Sequence, residues 1–261
     1  MDGIGWRLVS VLFPEHIKLS KMKLKEKVAI VTGASSGLGA AFAEVLVAKG
    51  VMVYGLARNL KKLTGIQSKL GTNFIPVCMD ISDHKGIASW ANSTFSSTHL
   101  PEILINNAGA GYFSKMDELT LEQWHEMINT NLNGTFYITS SVVPFMKQSG
   151  SSCHIINIGS ILGKTSRAGA AGYSTSKYGI QGFSEALFKE LRTDNIKVTC
   201  VNPGSIDTHF FEDSGIEPHH HMLQPDDIAT LVVHILETPD NFLIDEITLR
   251  PLNPNPLTKV Q

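Results

Sequence analysis

Tyr173 and Lys177 stand four residues apart in Gly-Tyr-Ser-Thr-Ser-Lys, and Ser160 lies thirteen residues before the tyrosine. Residues four apart on an α-helix share one face, so a phenol and an ammonium placed this way meet directly. Lowering a tyrosine pKa from near ~10 to about 7 takes roughly 4 kcal/mol of preferential stabilisation of the phenolate. A nearby, partly dehydrated lysine ammonium is the right kind of group to supply much of that. Ser160 adds a hydroxyl that can hydrogen-bond the reacting oxygen. The trio reads as a proton-transfer site for carbonyl/alcohol chemistry. On its own, Tyr-x-x-x-Lys also describes an ordinary amphipathic helix face, so the flanking elements carry the decision.

Near the amino end, Val28-Ala29-Ile30-Val31-Thr32 is a continuous apolar, β-branched run of the kind that forms a buried parallel strand. It enters Gly33-Ala34-Ser35-Ser36-Gly37-Leu38-Gly39, after which Leu38, Phe42, Val45 and Leu46 recur at helical spacing. Strand, glycine-rich turn and helix in that order make a phosphate-binding site. Glycines let the backbone approach a pyrophosphate, and the unpaired amides of the helix start favour negative charge.

Four further segments follow apolar runs or sit within a helical stretch: Asn106-Asn107-Ala108-Gly109, Asn131 in Asn-Thr-Asn-Leu-Asn-Gly, Ser160 after Ile155-Ile156-Asn157-Ile158, and Pro203-Gly204 after Val198-Thr199-Cys200-Val201. With Thr-Gly-x-x-x-Gly-x-Gly and Tyr-x-x-x-Lys in the same order, the chain resembles the short-chain dehydrogenase/reductase family over residues 25–250. The resemblance implies a Rossmann-like fold and hydride transfer with a nicotinamide cofactor.

The periodicities agree with that. Strands are expected at 28–32, 51–56, 74–79, 103–105, 154–158, 198–201 and 244–249, with helices between them, including 121–142 and 173–192. Such alternation predicts an α/β, doubly wound parallel sheet of about seven strands with helices on both faces. Its ligand crevice lies at the carboxyl ends of the strands, where strand order reverses. The 261 residues suit a single domain of this class, taken as residues 22–261. Residues 1–21 read as an extension: a short ordered arm, an interfacial helix, a disordered stretch, or sequence upstream of a true start at Met22.

A net charge of −2 without a Lys/Arg cluster argues against a nucleic-acid surface. The lysines at 21, 23, 25 and 27 read as a solvated approach to the first strand. No apolar run reaches the length of a membrane span. Cys78, Cys153 and Cys200 form no C-x-x-C pair and are expected to be small buried residues in a reducing, cytoplasmic compartment. Three adjacent histidines, 219–221, cannot all point easily at one ion, and read as a solvated loop rather than a metal site.

Cofactor choice is legible after the second strand, in Tyr54-Gly55-Leu56-Ala57-Arg58-Asn59. A carboxylate there would bind both ribose hydroxyls and repel a 2′-phosphate. Ala57 stands where the family's NAD-preferring members often carry Asp, and the guanidinium fork of Arg58 suits a phosphate. The expectation is NADP(H) over NAD(H), with Ser35 adding a hydroxyl contact.

By resemblance, Gly33, Ser35, Ser36, Gly37, Leu38 and Gly39 cradle the pyrophosphate region. Asp80 contacts the adenine amino group, with Ile81 beside the ring, and Asn107, Ala108 and Gly109 flank the adenosine ribose. Lys177 hydrogen-bonds the nicotinamide ribose and acidifies Tyr173, while Asn131, in a helix distorted at that point, holds a water linking Lys177 to solvent. Pro203, Gly204, Ile206 and Thr208 embrace the nicotinamide. The catalytic set is then Asn131, Ser160, Tyr173 and Lys177, and homodimers or homotetramers built on the two long helices are implied.

Substrate identity is less legible. Tyr112, Phe113, Leu162 and the stretch 168–172 are expected to line a partly apolar pocket, and residues 209–223, with Gly215 and Pro218, read as a lid. The carboxyl-terminal Phe-Leu-Ile-Asp-Glu-Ile-Thr-Leu-Arg-Pro departs from the Val-Asp-Gly-Gly pattern of fatty-acid-synthesis ketoacyl reductases. It favours a small alcohol, ketone or hydroxy acid, with 3-oxoacyl-[acyl-carrier-protein] reductase as the alternative. A non-catalytic NADP-sensing regulator is the alternative of another class. Such a regulator would usually lack Tyr173 or Lys177. A sugar-nucleotide epimerase expects a different glycine spacing and more chain after Pro203.

Overall fold

The apolar run 28–32 is buried at every position because both of its faces are covered. In the computed structural model, which describes residues 20–208, 210, 219 and 221–253, seven strands form one sheet. They are β1 (Val28–Thr32), β2 (Met52–Ala57), β3 (Phe74–Cys78), β4 (Ile103–Asn106), β5 (Cys153–Ile158), β6 (Ile196–Pro203) and β7 (Glu246–Leu249). All neighbours pair in parallel, in the order β3-β2-β1-β4-β5-β6-β7. Strand order reverses between β1 and β4, which places the crevice of a doubly wound sheet there.

Alternate residues of β1 feed two separate cores. Ala29 and Val31 join α1 (Gly37–Ala48), α2 (Leu60–Leu70) and α7 (Pro225–Leu236) on one face. Val28 and Ile30 join α3 (His84–Thr94) and α5 (Thr135–Met146), with Leu191 at the end of α6 (Ala171–Leu191), on the other. Pro76 is tolerated in β3 because that strand is at the sheet edge, where one side of the ladder is unpaired.

Some boundaries differ from expectation for identifiable reasons. Strand β6 starts two residues early, at Ile196-Lys197, although lysine is a poor core residue. The Lys197 ammonium donates to the carbonyls of Thr238 and Pro239 and to the Thr238 hydroxyl, so the stem is buried while the charge is solvated by protein. The helix expected at 121–142 is three pieces: α4 (Leu121–Ile128), a π-helical turn (Asn129–Gly134) and α5. Gly134 explains the tight packing there, since a Cβ would sit 2.7 Å from Ile81 Cδ1.

Lys27 is not simply solvated: it pairs with Glu102 at 2.8 Å in a partly buried position. Cys78 is exposed, contrary to the expectation for all three cysteines, because edge strand β3 is covered less completely than β5 and β6, where Cys153 and Cys200 are buried. Ser20 and Lys21 lie against Asp240 and Pro239, and Met22 and Leu24 are buried in the first core. The expectation for residues 1–21 otherwise falls outside the described residues, as do 209, 211–218 and 220 within the expected lid.

Candidate active site

The glycine turn after β1 takes its shape from backbone angles that a side chain disfavours. Gly33 has φ +68° and Gly37 has φ +51°, in the region that glycine enters at little cost. Gly39 is needed for space instead, because a Cβ there would lie 2.2 Å from the Gly33 carbonyl oxygen. Thr32 fixes the turn against the end of β4: its hydroxyl accepts from the amides of Asn107 and Ala108, both at 3.0 Å, and its carbonyl accepts from Asn107 Nδ2. Helix α1 begins without a side-chain cap on Ser36, so its first-turn amides remain available to an anion.

Apart from Gly39 and Asn131, every residue assigned above to the catalytic set or to cofactor binding lines one cavity of about 650 Å³. It runs from Gly33, Ser35, Ser36, Gly37 and Leu38 to Pro203, Gly204, Ile206 and Thr208. Gly39 backs the turn from behind, and Asn131 stands behind Gly109, where a Cβ would be 3.3 Å from Asn131 Oδ1.

One end of the cavity is defined by Arg58, Asp80, Ile81, Asn107 and Ala108. Arg58 Nη1 lies 3.6 Å from Glu126 Oε1 with its side chain largely exposed. Burial works against ionisation of Asp80, but hydrogen bonds from the Ser82 amide (2.9 Å) and hydroxyl (2.7 Å), with the charge of Arg58, hold its pKa below the ordinary value. Lys62, not anticipated from the sequence, joins Arg58 in this wall. Its signal was its place one turn into α2, whose N-cap Asn59 accepts from the Lys62 amide.

The other end holds Ser160, Tyr173 and Lys177, all buried. Ser160 caps a short 3-10 turn, accepting from the Leu162 amide at 3.1 Å, and it hydrogen-bonds Tyr173. Lys177 Nζ donates to the Ile158 carbonyl at 2.8 Å and lies 5.7 Å from the centre of the Tyr173 ring.

The expected acidification of Tyr173 is not what the protein alone produces. Burial pushes the phenol up to about 12 despite the hydrogen bond with Ser160, and pushes Lys177 down to about 8. The same loss of water that strengthens a charge pair also penalises each charge. The result is a phenol that stays protonated through neutral pH, the state a proton donor requires.

Asn131 is more fully engaged than a water-holding side chain would need to be. It exchanges two hydrogen bonds with the Ala110 backbone, at 2.8 and 2.9 Å, and donates to Ser176 Oγ at 2.8 Å. It thus ties the π-helical turn to the loop after β4 and to α6. A π turn inside a helix is frequently found beside functional sites.

Around Tyr173 the wall is aromatic. Phe113 and Leu162 line it as expected. Tyr112 does not: its hydroxyl donates to Glu126 Oε2 at 2.6 Å, because a partly buried phenol beside a carboxylate gains a charge-assisted bond. The small stretch 168–172 is also not part of the wall, which is formed there by Arg167 and Tyr173 on either side of it. Phe210, in the expected lid, packs 5.8 Å from the Tyr173 ring and was not separable in the sequence from its neighbours. Among the described residues no group of three or more potential metal ligands converges.

The fit to a dinucleotide rests on the glycine cradle, the uncapped α1 start and the continuous wall joining both ends. The comparisons with known proteins point the same way. Residues 27–218 match the family model described as short chain dehydrogenase. An uncharacterized oxidoreductase of Staphylococcus epidermidis is 34% identical over 230 residues, covering 88% of this chain and 99% of that protein. A metagenomic short-chain oxidoreductase solved in complex with NADP is 32% identical, with a TM-score of 0.76, covering 89% of this chain and 100% of that one. A serine dehydrogenase complexed with NADP+ is 26% identical, with a TM-score of 0.78 over 85% of this chain and 93% of that one.

Proposed function

We propose, from the premise that the chain belongs to the short-chain dehydrogenase family, that this oxidoreductase interconverts a small carbonyl compound and its alcohol with NADP(H) preferred over NAD(H). The observation that carries the reading is the placement of Ser160, Tyr173 and Lys177 in the same cavity wall as the glycine turn and Arg58. When bound, the dihydronicotinamide supplies a hydride to the carbonyl carbon. Tyr173 donates its hydroxyl proton to the carbonyl oxygen, and Ser160 hydrogen-bonds that oxygen as negative charge develops on it. Lys177, held by the Ile158 carbonyl, orients the cofactor's ribose, and its ammonium charge favours the phenolate that Tyr173 becomes on giving up its proton. Asn131 positions this helix rather than touching substrate. Oxidation runs the proton the other way.

The NADP preference is supported by Ala57 and Arg58, with Lys62 as a second cation, and by the NADP carried by two of the solved relatives. Residues 22–261 are read as one catalytic unit. The three free thiols fit a reducing, cytoplasmic setting, and no described helix is long and apolar enough to cross a membrane. A homo-oligomer is the expected assembly.

The test is Tyr173→Phe assayed by NADPH oxidation across a panel of small carbonyl compounds. We expect kcat to fall by about 10²-fold or more, the scale of a general acid, while calorimetry still detects NADPH binding. Near-normal kcat in the variant would remove Tyr173 from the mechanism.

A further inference from the structure

We infer that Arg167 recognises a carboxylate on the substrate, which makes the preferred substrate a short oxo or hydroxy acid rather than a neutral ketone or alcohol. The carbonyl chemistry in this statement rests on the proposed function, whereas the carboxylate binding rests on the cavity alone.

Arg167 lines the same cavity as Ser160 and Tyr173. Its guanidinium carbon stands 5.1 Å from the centre of the Phe113 ring, and the Phe113 ring centre is 5.2 Å from that of Tyr173. One aromatic ring therefore separates a fixed positive charge from the proton donor. A cation–π contact uses the positive charge of the guanidinium without using up its N–H donors.

Arg167 is exposed at the rim, but its backbone is held. Ser166 Oγ donates to Ser174 Oγ at 2.8 Å, the Arg167 carbonyl accepts from Ala170 at 3.3 Å, and Tyr178 on α6 donates to the Lys164 carbonyl. The loop is thus tied to the helix that carries Tyr173. A residue placed only for solubility does not need such an anchor.

Among the described residues the charge also lacks a counter-ion, since none of the ion pairs includes Arg167. Asp80, the acidic residue of the cavity wall among the described residues, is at the far end beside Arg58. Lys177 is buried and donates to the Ile158 carbonyl, whereas Arg167 is exposed. The nucleotide end has its own cations in Arg58 and Lys62, so Arg167 is not needed there. Phe113, Leu162 and Phe210 give the cavity that holds Arg167 and Ser160 an apolar lining. That composition suits a few carbons joining a carboxylate to a carbonyl, and the planar fork suits the carboxylate.

The experiment compares wild type, Arg167→Met and Arg167→Lys with acetoacetate and with methyl acetoacetate, which share the reacting ketone and differ by the negative charge and one ester methyl. The readout is the ratio of kcat/KM for acid over ester. We expect Arg167→Met to lower it by about 10- to 100-fold, the scale of a charged hydrogen-bonded contact, with partial recovery in Arg167→Lys. A ratio within twofold of wild type in Arg167→Met overturns the inference.

A second arm titrates malonate, and dimethyl malonate as its neutral control, by calorimetry with NADP+ present to fill the nucleotide end. Binding of malonate by wild type that weakens about tenfold or more in Arg167→Met supports the inference, and equal binding overturns it. If no carbonyl is turned over by wild type, the proposed reaction falls, and the calorimetric arm still decides the role of Arg167.

Discussion

Arg58 already has a carboxylate, Glu126, at 3.6 Å, yet both side chains remain substantially exposed. Surface pairs of this kind contribute only about 0–1 kcal/mol, so a doubly charged 2′-phosphate can take the guanidinium from Glu126 at little cost. We predict that Arg58→Ala lowers the NADP/NAD ratio of kcat/KM by about 10- to 100-fold. An unchanged ratio would show that the choice is made elsewhere, with Lys62 the next residue to replace. At the same scale, the sequence does not disclose the extent of desolvation of Tyr173 and Lys177, for a physical reason. Four-residue spacing predicts which groups meet, and it says nothing of how much water each one loses. Both are buried, and burial is the largest influence on each.

At the scale of elements, the glycine turn works because two strand ends and a helix start meet within van der Waals distance. A methyl group on residue 39 would overlap the Gly33 carbonyl and reach within 2.6 Å of Asn107 Nδ2, displacing the contact that ties β4 to β1. Gly39→Ala is therefore expected to weaken NADPH binding, followed by fluorescence, about tenfold or more. Gly65→Ala is the control: nothing lies within 4 Å of its added Cβ, and the change should stabilise α2 by about 1 kcal/mol. Equal affinity in the two variants would mean that the turn does not hold the cofactor. The π-helical turn teaches the complementary lesson. The repeat that marks 121–142 as helical is preserved in α4 and α5, while the intervening distortion depends on Ile81 and Ala110, which are remote in sequence.

Across the whole molecule, burial of His154 in β5 links stability to pH. Desolvation first, and the charge of neighbouring Lys197 second, push its pKa down to about 3. The folded protein therefore keeps it neutral where an unfolded chain would protonate it. Its contribution is complete above about pH 6.5 and is lost as pH falls towards 3, at about 1.4 kcal/mol per unit. Urea denaturation between pH 6 and 4 should show a shallower pH dependence, by about that slope, for His154→Gln than for wild type. Parallel slopes would mean that this histidine is not the group that titrates. On the exterior, Phe136 on α5 and Tyr178 on α6 are exposed aromatics, on the helices through which the family resemblance implies association. Sedimentation velocity should find a dimer or larger species that Phe136→Glu dissociates. A monomeric wild type would remove that expectation.

By itself the sequence determined the parallel sheet, since runs such as 28–32 have no polar face to offer solvent, and it determined the chemistry-bearing residues, since glycine, Tyr-x-x-x-Lys and Ser160 are local patterns. Most of those residues meet in one cavity because the carboxyl ends of parallel strands share one edge of the sheet. What depended on tertiary packing were the properties set by neighbours far along the chain. These include the protonation of Tyr173, the diversion of Tyr112 to Glu126 and the entry of Lys62 and Phe210 into the wall. The position of Arg167 over Phe113 belongs with them. Periodicity reports which side of an element is buried, whereas desolvation and counter-charge depend on what packs against it.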